Sequence, residues 1–186
     1  MRDELDEFLL WFISQGPNLG KVPVMQAVTT LGHDGKGGNV MSGVWYRKGQ
    51  FQVELLMIAG PWIIPEHTHP NIDSYQVLLG GQIRFSRNGQ WLTPETYQVD
   101  INDDGTSPYR GQRIRVNHND PHGGIVGPEG VMYFSVQHWL NGVEPHSVGL
   151  DWNGRTASQE QLDKLKFGSA SFIEQKTEQM AATLKL

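Results

Sequence analysis

The sequence predicts a mainly β domain, an antiparallel sandwich or barrel with one helix before it and helices after it. Three observations carry this. The chain of 186 residues holds 22 glycines and 10 prolines, which break it into short stretches. Between about residue 22 and residue 145 those stretches are β-type runs parted by turn signals: "GHDGKGG" at 32–38, "RKGQ" at 47–50, "RNGQ" at 87–90 and "GPEG" at 127–130. Helical spacing occurs only outside that span.

Taken in order, the first element is a helix over about 3–14. Leu5, Phe8, Leu9 and Phe12 recur at helical spacing before Gly16-Pro17 ends the pattern. In the β region, Asn88-Gly89 between "QIRFS" and "WLT" is a strong hairpin signal. After the barrel, Ser158 with Gln161 and Ser171 with Glu174 have the spacing of capping boxes, so a helical tail is expected over about 158–185. The length suits one domain spanning 1–186. There is no internal repeat and no low-complexity tract.

Composition narrows the function. The net charge is −5 without a run of Lys or Arg, so the footprint for nucleic acid or an anionic membrane surface is missing and a small molecule is the expected partner. With no cysteine, any metal site must be built from nitrogen and oxygen. The opening "MRDELDEFLLWFISQG" carries four acids and is too short for a membrane span, so a cytoplasmic protein is expected.

The candidate chemistry lies in "PWIIPEHTHPNIDSYQVLLGG", residues 61–81. Side chains alternate along a strand, so His67 and His69 point the same way and their nitrogens can converge on one ion. His122, in "VNHNDPHGGIVG", follows a turn that can launch a further strand beside that pair. On the same parity, Tyr75 faces inward, either to reach a substrate or simply to pack. His138 shares a strand face with Met132, Phe134 and Val136; it lines the pocket or ends the barrel. His118 is a turn residue or a support for the site. Glu66 reads as surface, and His33 and His146 lie in loop-like text. Arg113 and Arg115 alternate with apolar residues as on a half-exposed strand. "GHDGKGGNV" lacks the ending and the helix of a phosphate loop, and there is no Gly-x-Ser-x-Gly elbow.

These residues resemble the two motifs of the cupin superfamily, over roughly residues 40–140. Gly60, His67, His69, Asp73 and Gly80 stand where the first motif has Gly, His-x-His, Glu and Gly; Gly111, Asn117, Asn119 and His122 stand where the second has Gly, Pro-x-Gly and His. Gly60 lies one residue further from His67 than is usual, Asp73 replaces the Glu, Asn117 and Asn119 replace the Pro and Gly, and Val126 replaces a later Asn. The segment between the motifs, about 93–110, is longer than in common cupins and is expected to form a lid or an interface.

The resemblance implies a jelly-roll barrel and a metal held by His67, His69, His122 and Asp73. Asp73 is one methylene shorter than Glu, so its contact is expected to be weak or water-mediated. A site of imidazole and carboxylate suits one divalent ion, Fe, Mn, Zn, Ni or Cu, with open positions for water, dioxygen or a chelating substrate. The expected function is a metal-dependent enzyme acting on a small oxygen-rich substrate, dioxygenase-type, with Tyr75 and His138 as substrate-binding candidates. Isomerisation, decarboxylation and hydrolysis follow closely, and a non-catalytic ligand-binding cupin is the alternative class. With the apolar first helix and the helical tail, the resemblance also implies a homodimer in which Phe8, Trp11 and Phe12 pack on the partner.

Overall fold

A computed structural model describes residues 2–14, 29–31, 40–100, 108–144 and 146–148. The "GHDGKGG" segment and the proposed tail at 158–185 lie outside these residues. The described chain consists of helix α1 (Glu4–Ser14) and nine strands: β1 (Thr29–Leu31), β2 (Val40–Lys48), β3 (Phe51–Ile58), β4 (Trp62–His67), β5 (Ile72–Arg87), β6 (Gln90–Trp91), β7 (Glu95–Asp100), β8 (Pro108–Val116) and β9 (His122–Trp139). No described helix is long and apolar enough to cross a membrane.

All strand pairs are antiparallel, and two long strands hold the structure together. The main sheet has the order β1-β2-β3-β9-β5-β8-β7. β4 joins β9, and β6 joins β5, where these strands run on past it. Thus β9 pairs through Val131–His138 with β3 and through His122–Val126 with β4. β5 likewise pairs with both halves of β9, with register shifts between Leu78 and Gly80 and between Gly81 and Ile83. Both strands run on past this irregularity to a second set of partners, which curls the single sheet into the jelly roll.

The two corners touch. Gly81 has φ +90° and Gly130 has φ +76°, a region open mainly to glycine. A Cβ on Gly81 would collide with the Gly130 carbonyl, so the close approach also requires glycine. "GPEG" at 127–130 is therefore a bend inside β9 and not a break between strands, because the ladder resumes at Val131. "RNGQ" does form a tight hairpin: Asn88 and Gly89 both have positive φ, and β5 meets β6 through Arg87 and Gln90. The long inter-motif segment extends the sheet as the β7–β8 hairpin, in register from Glu95–Arg113 to Asp100–Pro108.

The main sheet is covered on both faces. Outside, Leu5, Leu9 and Phe12 of α1 are buried against Val53, Tyr75, Val77, Phe134 and Val136. Phe12 is only 2% exposed within its own chain, so it is not available to a partner as the sequence suggests. Phe8 stacks on Phe51, while Trp11 remains 41% exposed. Inside, Val40, Ile58, Trp62, Ile64, Val126, Val131 and Tyr133 form a second cluster between the sheets.

Candidate metal centre and its cavity

β4 reaches the site through an irregularity. Trp62 and Ile64 point inward, the register then shifts between Ile64 and His67, and His67 points inward despite its odd spacing from them. His67 is the cross-strand partner of His122, the first residue of β9. Thr68 bridges to Val148 through a pair of backbone hydrogen bonds, which brings residues 146–148 alongside His69. Asn119 occupies the turn before His122 with φ +61°, a conformation Asn tolerates, and its N–H donates to the His69 carbonyl at 2.9 Å. Asn replaces the family's Gly there without losing the turn.

The three rings meet. Their centroids lie 4.3 Å (His67–His122), 4.9 Å (His67–His69) and 5.1 Å (His69–His122) apart. One ring nitrogen from each lies within 4.8 Å of the others. Every Nδ1 is engaged with a backbone carbonyl: His67 with Pro65 at 2.8 Å, His122 with Asp120 at 2.9 Å and His69 with His146 at 3.0 Å. A carbonyl only accepts, so each Nδ1 carries the proton and each Nε2 keeps a free lone pair. This is the tautomer a metal requires, with each imidazole oriented from behind.

The rings are also held neutral. Burial, with the neighbouring His67, pushes His122 down to about 3, and burial pushes His67 down to about 4 against the opposing pull of the Pro65 carbonyl. His69 is lowered too, again mainly by burial. At neutral pH no proton has to leave before an ion binds.

A cavity of about 200 Å³ adjoins the histidines. Its apolar wall comes from Leu56, Ile64, Ile72 and Phe85, and its polar wall from Glu54, Gln76, Tyr133, Ser135 and Gln137, with His146 and Ser147 beside His69. No Lys or Arg is among these lining residues.

The other predicted site residues stand elsewhere. A turn at Pro70-Asn71 interrupts the strand between His69 and Ile72, so alternation restarts on the opposite parity. Ile72 and Gln76 line the cavity, and Asp73 and Tyr75 do not. Asp73 Oδ1 accepts from the backbone N–H of His118 and contacts the ring Nδ1 of His118, both at 2.8 Å, and Arg115 stands 3.9 Å from its other oxygen. Tyr75 donates its hydroxyl to Asp6 of α1 at 2.6 Å. His138 stacks on Phe51 at 4.6 Å, with Nε2 3.3 Å from the Gln50 amide oxygen. Glu66 is exposed and accepts from the Gly89 N–H, bracing the hairpin.

Glu54, Gln76, Ser135 and Gln137 escape the sequence reading, and His146, read there as a loop residue, lines the cavity beside His69. A signal for four of them exists: Gln52-x-Glu54, Ser74-x-Gln76 and Ser135-x-Gln137 each place two polar residues on one face of an otherwise apolar strand.

The antiparallel jelly roll and the clustering of His67, His69 and His122 are what the resemblance to the cupin superfamily leads one to expect. No family model and no curated protein matches the sequence. Solved structures are similar to it at low identity. A protein with a double-stranded β-helix domain from Klebsiella pneumoniae is 18% identical, with 60% of this chain and 85% of that one covered at a TM-score of 0.43. An RmlC-like cupin from Shewanella frigidimarina is 12% identical, covering 61% and 86% at 0.42. A cupin-like protein from Thermotoga maritima is 12% identical, covering 77% and 92% at 0.43.

Proposed function

We propose that the chain is a metal-dependent cupin enzyme that acts on a small, oxygen-rich organic substrate in a dioxygenase-type reaction. The observation that carries this reading is the set of three neutral imidazoles, each fixed through Nδ1, with their free nitrogens together beside a polar cavity. His67, His69 and His122 would hold one divalent ion, and Asp73, engaged by His118, would not. When bound, such an ion supplies a Lewis acid and open positions for a chelating substrate and dioxygen. The chain's own contribution is to orient that substrate. Ser135 offers its hydroxyl and Gln76 its amide oxygen to that substrate, while Leu56, Ile64 and Phe85 form the apolar side.

Elemental analysis of protein never exposed to a nickel column tests the site. About one divalent ion per chain is expected, and the double variant His67→Ala with His69→Ala should hold none. Protein that stays metal-free after incubation with iron, manganese and zinc would overturn the assignment. Oxygen uptake with β-diketones, catechols and keto acids then tests the reaction. Uptake with none of them by metal-loaded protein would favour a ligand-binding cupin without turnover.

A further inference from the structure

The cavity holds one carboxylate that no motif assigns. Glu54 lies on β3, with Ser135 of β9 as its register partner, and Ser135 in turn partners Gln76 of β5. The three side chains therefore form a row across adjacent strands on the cavity side. The Gln137 amide Nε2 donates to Glu54 Oε2 at 3.1 Å. The direction of that bond is fixed by Trp139, whose indole N–H can only donate and does so to the Gln137 oxygen at 3.1 Å. Gln52 donates to the same oxygen at 3.3 Å. The amide cannot flip without losing both bonds, so Glu54 Oε2 faces an N–H of Gln137. Among the described residues its other oxygen, Oε1, has no hydrogen bond.

The rest of the lining defines the ligand. Among the described lining residues there is one carboxylate and no Lys or Arg, so they offer no cationic anchor for a polyanion. The lining offers hydroxyls and amides around a cavity of about 200 Å³ beside the histidines, room for a small molecule when each water in the liquid takes ~30 Å³.

We propose that Glu54 is the catalytic base of this cavity and that the substrate is a small neutral hydroxycarbonyl compound whose acidic C–H faces it. Glu54 Oε1 takes the proton from the carbon next to the carbonyl. That C–H bond breaks, its electron pair forms a C=C bond, and the carbonyl π pair moves to oxygen to give the enolate; the proton becomes the carboxylic acid O–H of Glu54. Returning a proton to carbon regenerates the carboxylate, so the cycle needs no oxidant. The inference rests on the metal-site reading, which places the substrate oxygens at the histidines.

The experiment uses 1,3-dihydroxyacetone as probe and full-length protein loaded with manganese or zinc. Three quantities are measured for wild type, Glu54→Gln and Glu54→Asp: ion content, probe binding by calorimetry, and deuterium wash-in from D2O at the probe's CH2 groups by mass spectrometry. Glu54→Gln should keep its ion and bind the probe within about threefold of wild type, because an amide keeps the hydrogen-bonding shape. Its exchange should fall by about 10²–10⁴-fold and lose the rise with pH that a titrating base gives, since that is the range general-base catalysis contributes. Glu54→Asp should recover part of the rate together with the pH-dependent limb, and it decides the question if the Gln variant does not fold. Exchange by Glu54→Gln equal to wild type, or no exchange by ion-loaded wild type, overturns the proposal while leaving the metal site standing. Absence of the ion overturns the metal reading instead. Exchange is then read on the metal-free protein, where dependence on Glu54 supports the base and its lack removes it.

Discussion

At the scale of single residues, the three histidines show how one kind of side chain acquires a defined state from its surroundings. Each is pinned by a carbonyl and desolvated by the barrel, so the metal-free site costs stability in acid. In the unfolded chain an imidazole takes its proton near the ordinary value of about 6.5, whereas folded His67 and His122 resist until about 4 and about 3. Below 6.5 the unfolded state binds more protons, so its free energy drops relative to the folded state. Stability of the metal-free protein should be full above pH 6.5 and fall as pH drops through the window from about 6.5 to about 4, by up to about 1.4 kcal/mol per pH unit for each such histidine. Urea melts across that range check it, and the double variant His67→Ala with His69→Ala should show a shallower slope. Equal slopes would mean that the rings are not desolvated as described.

Asp73 makes the contrasting case. Its sequence spacing suggests a ligand, but the Pro70-Asn71 turn resets the alternation, and nothing in the pattern of residues before the strand announces that reset. The carboxylate instead ties β5 to the turn that precedes His122, through His118. Asp73→Ala is expected to leave ion content unchanged and to lower stability by about 1–3 kcal/mol, the usual cost of removing a partly buried carboxylate that accepts two hydrogen bonds. Loss of the ion in a folded Asp73→Ala protein would return Asp73 to the ligand set.

At the scale of elements, α1 explains why the sheet's inner and outer faces are hard to tell apart in the sequence. Phe134, Val136 and Val77 look like the barrel interior because they are the apolar face, yet they lie under the helix. The true interior near the histidines is the polar face. Alternation was legible, but its sense was not, since an amphipathic helix on the outside reverses the rule that the apolar side faces in. The helix is clamped at its start: Asp3 and Asp6 exchange backbone-to-carboxylate hydrogen bonds, Asp3 pairs with Arg115 at 2.8 Å, and Asp6 accepts from Tyr75. The Arg115 hydrogen bond holds the Asp3 carboxyl below its ordinary range. Acids at a helix N-terminus are legible as a capping signal, whereas their partners on β5 and β8 are fixed only by the fold. Because α1 covers the face opposite the cavity, Leu9→Ala or Phe12→Ala should cost about 2–5 kcal/mol in urea unfolding and leave the ion in place below the transition. A variant that stays folded but loses metal would show that the two faces are coupled.

At the scale of the whole molecule, strand-rich text and the His67–His69 pair could be read from spacing, because strand period is a local property, whereas the two-part histidine signature comes from the resemblance to cupin motifs. The bend of β5 and β9 could not, since "GPEG" and "LGG" look like ordinary turns until both corners are seen to meet. That shared bend brings the two corners together. The clusters around Val53 and Val77, around Trp62 and Val126, and around Phe85 and Ile114 are apolar, and none of them includes the three histidines. Removing the ion should therefore leave a folded protein, in contrast to small domains whose metal is their core. Binding an ion only to the folded state adds RT ln(1 + [L]/Kd), about 2.7 kcal/mol at a hundredfold excess over Kd, which for a chain of this size raises the melting temperature by ~5–10 °C. Chelation of metal-loaded protein should lower the melting temperature by that amount while the far-ultraviolet circular dichroism at 25 °C stays that of a β protein. If chelation unfolds the chain at 25 °C, the metal is part of what holds the barrel closed; if it shifts nothing, His67, His69 and His122 bind no ion.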